Sequence, residues 1–231
     1  MMDDPKQYKN FFILLSEARE DFLFKVKDEM YEIDGDRVLL KYKDIPLNVR
    51  ELNIIWESSK QEEVRKLDES GEIISIYEIS QEVNEVKLWV YDENPYIFVF
   101  TNKVTLLRGI QRILMELFNF NTKHVEFTND FYNQLIKRDE VINISYQTND
   151  ENFSSITLTG KRSLLSSDIY NRIDIHKNRI TELTILFNGH FRIKVYKNGK
   201  ILIYSMPSIY EIFEIISDFK SLFSFGGLSF E

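Results

Sequence analysis

The run Asn84-Glu85-Val86-Lys87-Leu88 sets a carboxylate and an ammonium two positions apart at the start of an apolar strand. Joined by an acidic residue from elsewhere, here Asp68, a Glu-x-Lys unit can hold Mg2+ while the lysine orients an attacking water, which is what a metal-dependent nuclease requires. The tripeptide is a common one. Asp68 is expected at the charged end of a helix rather than on a neighbouring strand, and a solvent-facing charge pair accounts for Glu85 and Lys87 equally well.

A second constellation lies near the C-terminus, where Arg192, Lys194, Tyr196, Lys200 and Tyr204 share one face of two strands. Sheet-based binders of single-stranded nucleic acid combine rings that stack on bases with cations that neutralise phosphates. The same alternation suits tyrosines half-buried under another layer or subunit, with lysine stems lying along them.

Other chemistries lack their residues. The three histidines, His124, His176 and His190, show no metal-ligand spacing. Gly160-Lys161-Arg162-Ser163 has only the tail of a phosphate-binding loop, and no Gly-x-Ser-x-Gly elbow occurs. With no cysteine there is no disulfide, thiolate site or thiol nucleophile, and a reducing compartment is the natural setting. No metal and no cofactor is expected.

The net charge of -8 is unevenly spread: residues 1 to 100 hold 13 basic and 23 acidic residues, and the remainder 16 and 14. Within residues 161 to 200 nine bases face three acids, a local excess that admits a polyanionic partner or a guarded sheet surface. The acidic residues Asp28, Glu29, Glu32, Asp34 and Asp36 gather around one hairpin. The N-terminus lacks the pattern of a secretory signal, and Phe11 to Leu15 is too short to span a bilayer. A cytoplasmic protein without membrane contact is expected. The abundance of Ile, Asn, Lys and Phe suits an AT-rich bacterial or phage genome.

The elements that must position these residues follow from local patterns. Short strands are expected at Asn10 to Leu15, Phe22 to Lys27, Met30 to Ile33 and Arg37 to Tyr42, the last two about Asp34-Gly35-Asp36. Pro46 is expected to open a helix with Val49, Leu52, Ile55 and Trp56 on one stripe, continuing through the charged run to Ser70-Gly71. Strands follow at Glu72 to Ile79, Glu85 to Tyr91 and Tyr96 to Phe100. From Asn102 the spacing becomes helical, with apolar residues on so many sides that the helix should lie between two layers. A second helix runs from the N-cap Thr128 to Arg138 with Phe127 as a staple. A hairpin joins Val141 to Gln147 and Phe153 to Leu158, before an ambiguous stretch from Ser163 to Arg179.

Asn188-Gly189 and Asn198-Gly199 mark a three-stranded meander, since both residues tolerate positive φ. A three-residue loop at Lys197-Asn198-Gly199 sets Val195 against Ile201 and Ile193 against Ile203, which segregates apolar from polar faces. The capping box Ser208 to Glu211 starts a closing helix whose stripe should cover the apolar face. The tail, with Phe225, Leu228 and Phe230, is apolar for a chain end and suits docking on its own domain or on a partner.

The expected fold is α+β, antiparallel sheets with packed helices and a C-terminal three-stranded meander capped by an amphipathic helix, divided into an acidic mostly-β region 1–101 and an α+β region 102–231 or continuous as one domain. The expected function is non-enzymatic binding of a protein partner, with nucleic acid admitted on the C-terminal sheet and a homo-oligomer allowed. Glu-x-Lys nuclease chemistry is the alternative.

Overall fold

The computed structural model describes residues 8–16, 27–91, 95–148, 154–160, 164, 179–223 and 228–230. They form a sheet-dominated α+β fold of thirteen strands and three helices. The strands are β1 (Asn10–Ser16), β2 (Glu29–Ile33), β3 (Asp36–Ile45), β4 (Val49–Leu67), β5 (Ile73–Tyr91), β6 (Tyr96–Phe100), β7 (Thr122–Phe127), β8 (Glu140–Gln147), β9 (Ser155–Thr159), β10 (Arg179–Phe187), β11 (Phe191–Tyr196), β12 (Lys200–Ile203) and β13 (Leu228–Phe230). The helices are α1 (Val104–Phe118), α2 (Asn129–Arg138) and α3 (Ile209–Phe223).

The strand order is β2-β3-β4-β5-β6-β1-β12-β11-β10-β8-β9, with β7 joining β1 and β13 joining β7, and every pairing is antiparallel. Strand β1 lies between β6 and β12, so the sheet runs unbroken across residue 101. Alternate side chains of β1 feed two cores. Phe12 and Leu14 join Leu52, Ile54, Trp56, Leu88 and Val99 beneath α1. Phe11 and Ile13 join Ile193, Val195, Ile201 and Ile203 beneath α2 and α3.

Helix α1 buries Leu107, Ile110, Ile113 and Leu114 and leaves Met115 exposed, so it covers one sheet face instead of lying between layers. Its apolar residues on other sides are only partly covered. A Cβ at Gly109 would stand 3.0 Å from the Trp56 ring, so the absence of a side chain there lets α1 come down on β4. Helix α2 starts where its cap predicts: the Thr128 hydroxyl accepts from the Phe131 amide, and the Phe127 and Phe131 rings stack at 4.2 Å. Helix α3 carries the reciprocal box, with the Ser208 amide donating to Glu211 Oε2 at 2.6 Å and the Glu211 amide to Ser208 Oγ at 3.3 Å. Trp89 stacks on Phe213 at 4.5 Å and Phe187 on Phe219 at 5.0 Å, fixing α3 to the sheet.

The helix expected from Pro46 is strand β4, paired residue for residue with β5 from Val49↔Tyr91 to Leu67↔Ile73. Leu52, Ile54 and Trp56 point into the α1 core, while Glu51, Asn53 and Ile55 take the other face. The two strands expected at Glu72 to Ile79 and Glu85 to Tyr91 are one, β5. From Ser58↔Glu82 to Leu67↔Ile73 the hairpin leaves the body as a two-stranded arm of ten residue pairs, roughly 33 Å long at ordinary strand rise. Its turn is held by Asp68, whose Oδ1 accepts from the amides of Ser70 and Glu72 at 2.8 and 2.9 Å. Most of the expected strand Phe22 to Lys27 and most of the stretch Ser163 to Arg179 lie outside the described residues.

Candidate functional site

The meander folds in the expected register, Val195↔Ile201 and Ile193↔Ile203. Gly199 takes φ +69°, its amide donates to the Tyr196 carbonyl, and a Cβ there would meet the Val125 carbonyl oxygen at 2.3 Å. The turn therefore closes tightly and seats against β7. Ile193, Val195, Ile201 and Ile203 point towards α3, which leaves Arg192, Lys194, Tyr196, Lys200, Leu202 and Tyr204 on the other side.

On that side the cations lie over the rings. The Arg192 guanidinium sits 4.8 Å from the Tyr204 centroid, and Lys194 and Lys200 approach Tyr196 at 4.6 and 5.4 Å. Lys194 also pairs with Glu182 at 2.6 Å. Burial opposes its charge, but the hydrogen bond and charge of Glu182 outweigh that and raise its pKa. Lys200 donates to the Asn102 carbonyl at 3.2 Å, and burial, followed by repulsion from Lys194, lowers its pKa. Of the wider basic run, Arg179 and Lys197 both face Glu126, at 3.6 and 3.2 Å. Lys161, Arg162, Arg172 and Lys177 lie outside the described residues. The positive field around the meander is thus partly neutralised, and Arg192 and Tyr204 are the exposed side chains of the β11–β12 face.

Glu85 is exposed and accepts from Asn53 Nδ2 at 2.7 Å. Lys87 is buried two residues on. Asp68 sits at the arm's turn, thirteen residues on from Ile55, the partner of Glu85, and so roughly 40 Å away. The structure does not bring Asp68 to Glu85 and Lys87, and no group of three metal-ligating side chains occurs among the described residues.

Lys87 belongs to a buried cluster that sequence reasoning missed. Glu51 Oε2 accepts from the Tyr8 hydroxyl and the Trp89 indole, each at 2.8 Å, while Oε1 faces Lys43 at 3.1 Å and Lys87 at 3.7 Å. Tyr8 and Trp89 are 5.3 Å apart and both touch Phe100. The only signal in the sequence is a glutamate opposite a tryptophan in two apolar strands, and it becomes visible once β4 and β5 are paired.

In the tail, Phe225 lies outside the described residues. The backbone of Leu228 and Phe230 pairs with Phe127 and Val125 of β7, placing the tail on the body's own sheet. His124 lies on β7, and its ring is 6.0 Å from Phe12; His176 is outside the described residues. His190 lines an open cleft of about 640 Å³ with Phe191, Met206, Pro207, Glu211 and Glu214, where Glu211 is already engaged in capping α3. Among the described residues no helix is long and apolar enough to cross a membrane.

No family model matches this chain, and no curated protein matches it significantly. What the coordinates define is the class alone, an antiparallel, sheet-dominated α+β protein.

Proposed function

We propose that the chain is a non-catalytic, cytoplasmic binding protein that takes a protein partner on the β11–β12 face. The supporting observation is the pairing of cations with tyrosines, Arg192 on the exposed Tyr204 and Lys194 with Lys200 on the half-buried Tyr196. Tyrosine and arginine held flat on a rigid sheet give large contact area at low ordering cost, the chemistry enriched at protein interfaces. Neutralisation of Lys194 by Glu182 favours a mixed protein surface over a phosphate backbone. Nucleic acid is the second reading, favoured by the convergence of two lysines on the Tyr196 ring.

Fluorescence anisotropy with labelled single- and double-stranded oligonucleotides, at low and moderate salt, separates the two. Binding that falls steeply with salt and vanishes in Lys194→Glu/Lys200→Glu assigns the face to nucleic acid. On the protein reading the oligonucleotides do not bind, and a photo-crosslinking side chain at position 204 yields a discrete protein adduct in cells that Arg192→Glu abolishes. Absence of both overturns the assignment of this face.

A further inference from the structure

The β4–β5 arm has no core of its own, and one of its faces carries most of its exposed apolar side chains. Leu67, Ile73, Tyr77, Ile79 and Val83 all point to that side and are between 66% and 77% exposed. Together they put on the order of 600 Å² of apolar side chain in water, the size at which a patch marks an interaction surface. The opposite face carries Val64, Ile74 and Ile76, all less exposed than that stripe and flanked by ion pairs along the ribbon, Lys60 with Glu62 and Lys66 with Glu78. A two-stranded ribbon is marginal in water unless a further layer covers it.

We infer that the arm's covering layer is the arm of a second copy of this chain, the two ribbons packing face to face about a two-fold axis at the Val64↔Ile76 pair. Three observations commit it to that occupant, and none of them uses the β11–β12 face.

The first is the residue order. With the strands reversed about that axis and each β4 stacked on its counterpart, Ile73 meets Ile79, Tyr77 meets Ser75, Glu63 meets Arg65 and Leu67 meets Gln61, each twice by symmetry. Isoleucine lies on isoleucine, the one tyrosine lies against a serine, and opposite charges face each other. The second is length. The same axis brings the turn Asp68 to Glu72 level with Ser59, Lys60 and Val83, where the arm leaves the body, so the arms overlap fully while the bodies stay at opposite ends. The third is area. Two such stripes bury on the order of 1,200 Å² in total, within the range of specific interfaces. The Arg37–Glu57 pair at the arm's root, bonded at 2.6 and 2.9 Å, keeps the one remaining carboxylate of this face neutralised.

The test is the mass of the full-length chain in solution, by light scattering on a sizing column and by sedimentation equilibrium. The wild type should be a dimer at micromolar concentration, and Ile73→Asp/Ile79→Asp a monomer with an unchanged circular dichroism spectrum. Glu63→Arg or Arg65→Glu alone should each raise the dissociation constant by about tenfold or more, and the double exchange should recover most of that loss. A wild type that stays monomeric, including one whose arm binds some other protein, overturns the inference. So does a dimer that survives Ile73→Asp/Ile79→Asp, or a double exchange no tighter than either single change.

Discussion

At the scale of the residue, Glu51 carries the heaviest load in the body of the protein. Its two oxygens serve Tyr8, Trp89, Lys43 and Lys87 inside a wall of aromatic rings. Removing the carboxylate takes from buried Lys87 its facing charge and from the Trp89 indole its acceptor, so Glu51→Ala should cost about 3 to 5 kcal/mol in urea unfolding. Glu51→Gln, which still accepts from Tyr8 or Trp89, should cost less. Lys200 carries the clearest pH signature. Its folded pKa is lowered by burial and by Lys194. In the alkaline window between the folded and unfolded values the unfolded chain holds a proton that the folded chain has released, so stability from this group rises with pH there. NMR titration should find its ammonium below the ordinary lysine value, and Lys194→Met should move it upward by removing the like charge.

At the scale of the element, the two Asn-Gly turns make a controlled comparison. Gly199 and Gly189 both hold positive φ, yet a Cβ at Gly199 runs into the Val125 backbone while one at Gly189 meets open space. Gly189→Ala should therefore cost about 1 kcal/mol, the ordinary penalty of left-handed backbone. Gly199→Ala should cost about 3 kcal/mol or more in the same denaturation assay, because β7 must move as well. These turns, the Thr128 cap with its Phe127 staple and the Ser208–Glu211 box were legible in the sequence because each depends on a few adjacent residues. Strand β4 was not. Val49, Leu52, Ile55 and Trp56 satisfy a helical stripe as well as alternate positions do, and the charged run after Trp56 has no period of its own. What settles it is the partner strand: Ile73, Tyr77, Ile79 and Val83 share one parity, and Asp68 to Gly71 is a hairpin turn between the two. The cation–tyrosine face was readable for the same local reason as the meander. The Glu51 cluster was not, since Tyr8, Lys43, Glu51, Lys87 and Trp89 meet only through sheet pairing.

At the scale of the whole molecule, the described core residues fall outside the arm: none of the buried apolar side chains lies between Trp56 and Val86. A shortened chain with residues 59–81 replaced by an Asn-Gly turn should keep the thermal midpoint within a few degrees of the parent, provided both are compared as monomers. A large drop would show that the arm steadies the body. The position of β1 has a different consequence, one for synthesis. Phe11, Phe12, Ile13, Leu14 and Leu15 are made long before β12, yet β1 is flanked by β6 on one side and, on the other, by β12 along Asn10 to Phe12 and by β7 along Leu14 to Ser16. At ordinary elongation rates of about 5 to 20 residues per second, roughly 10 to 40 s separate the appearance of Asn10 from that of its partner Leu202. Throughout that interval the Asn10 to Phe12 stretch of a strand destined for the middle of the sheet offers an open edge to any neighbour. A nascent chain stalled before Lys200 should therefore sediment as aggregate more readily than one released after β12 is made.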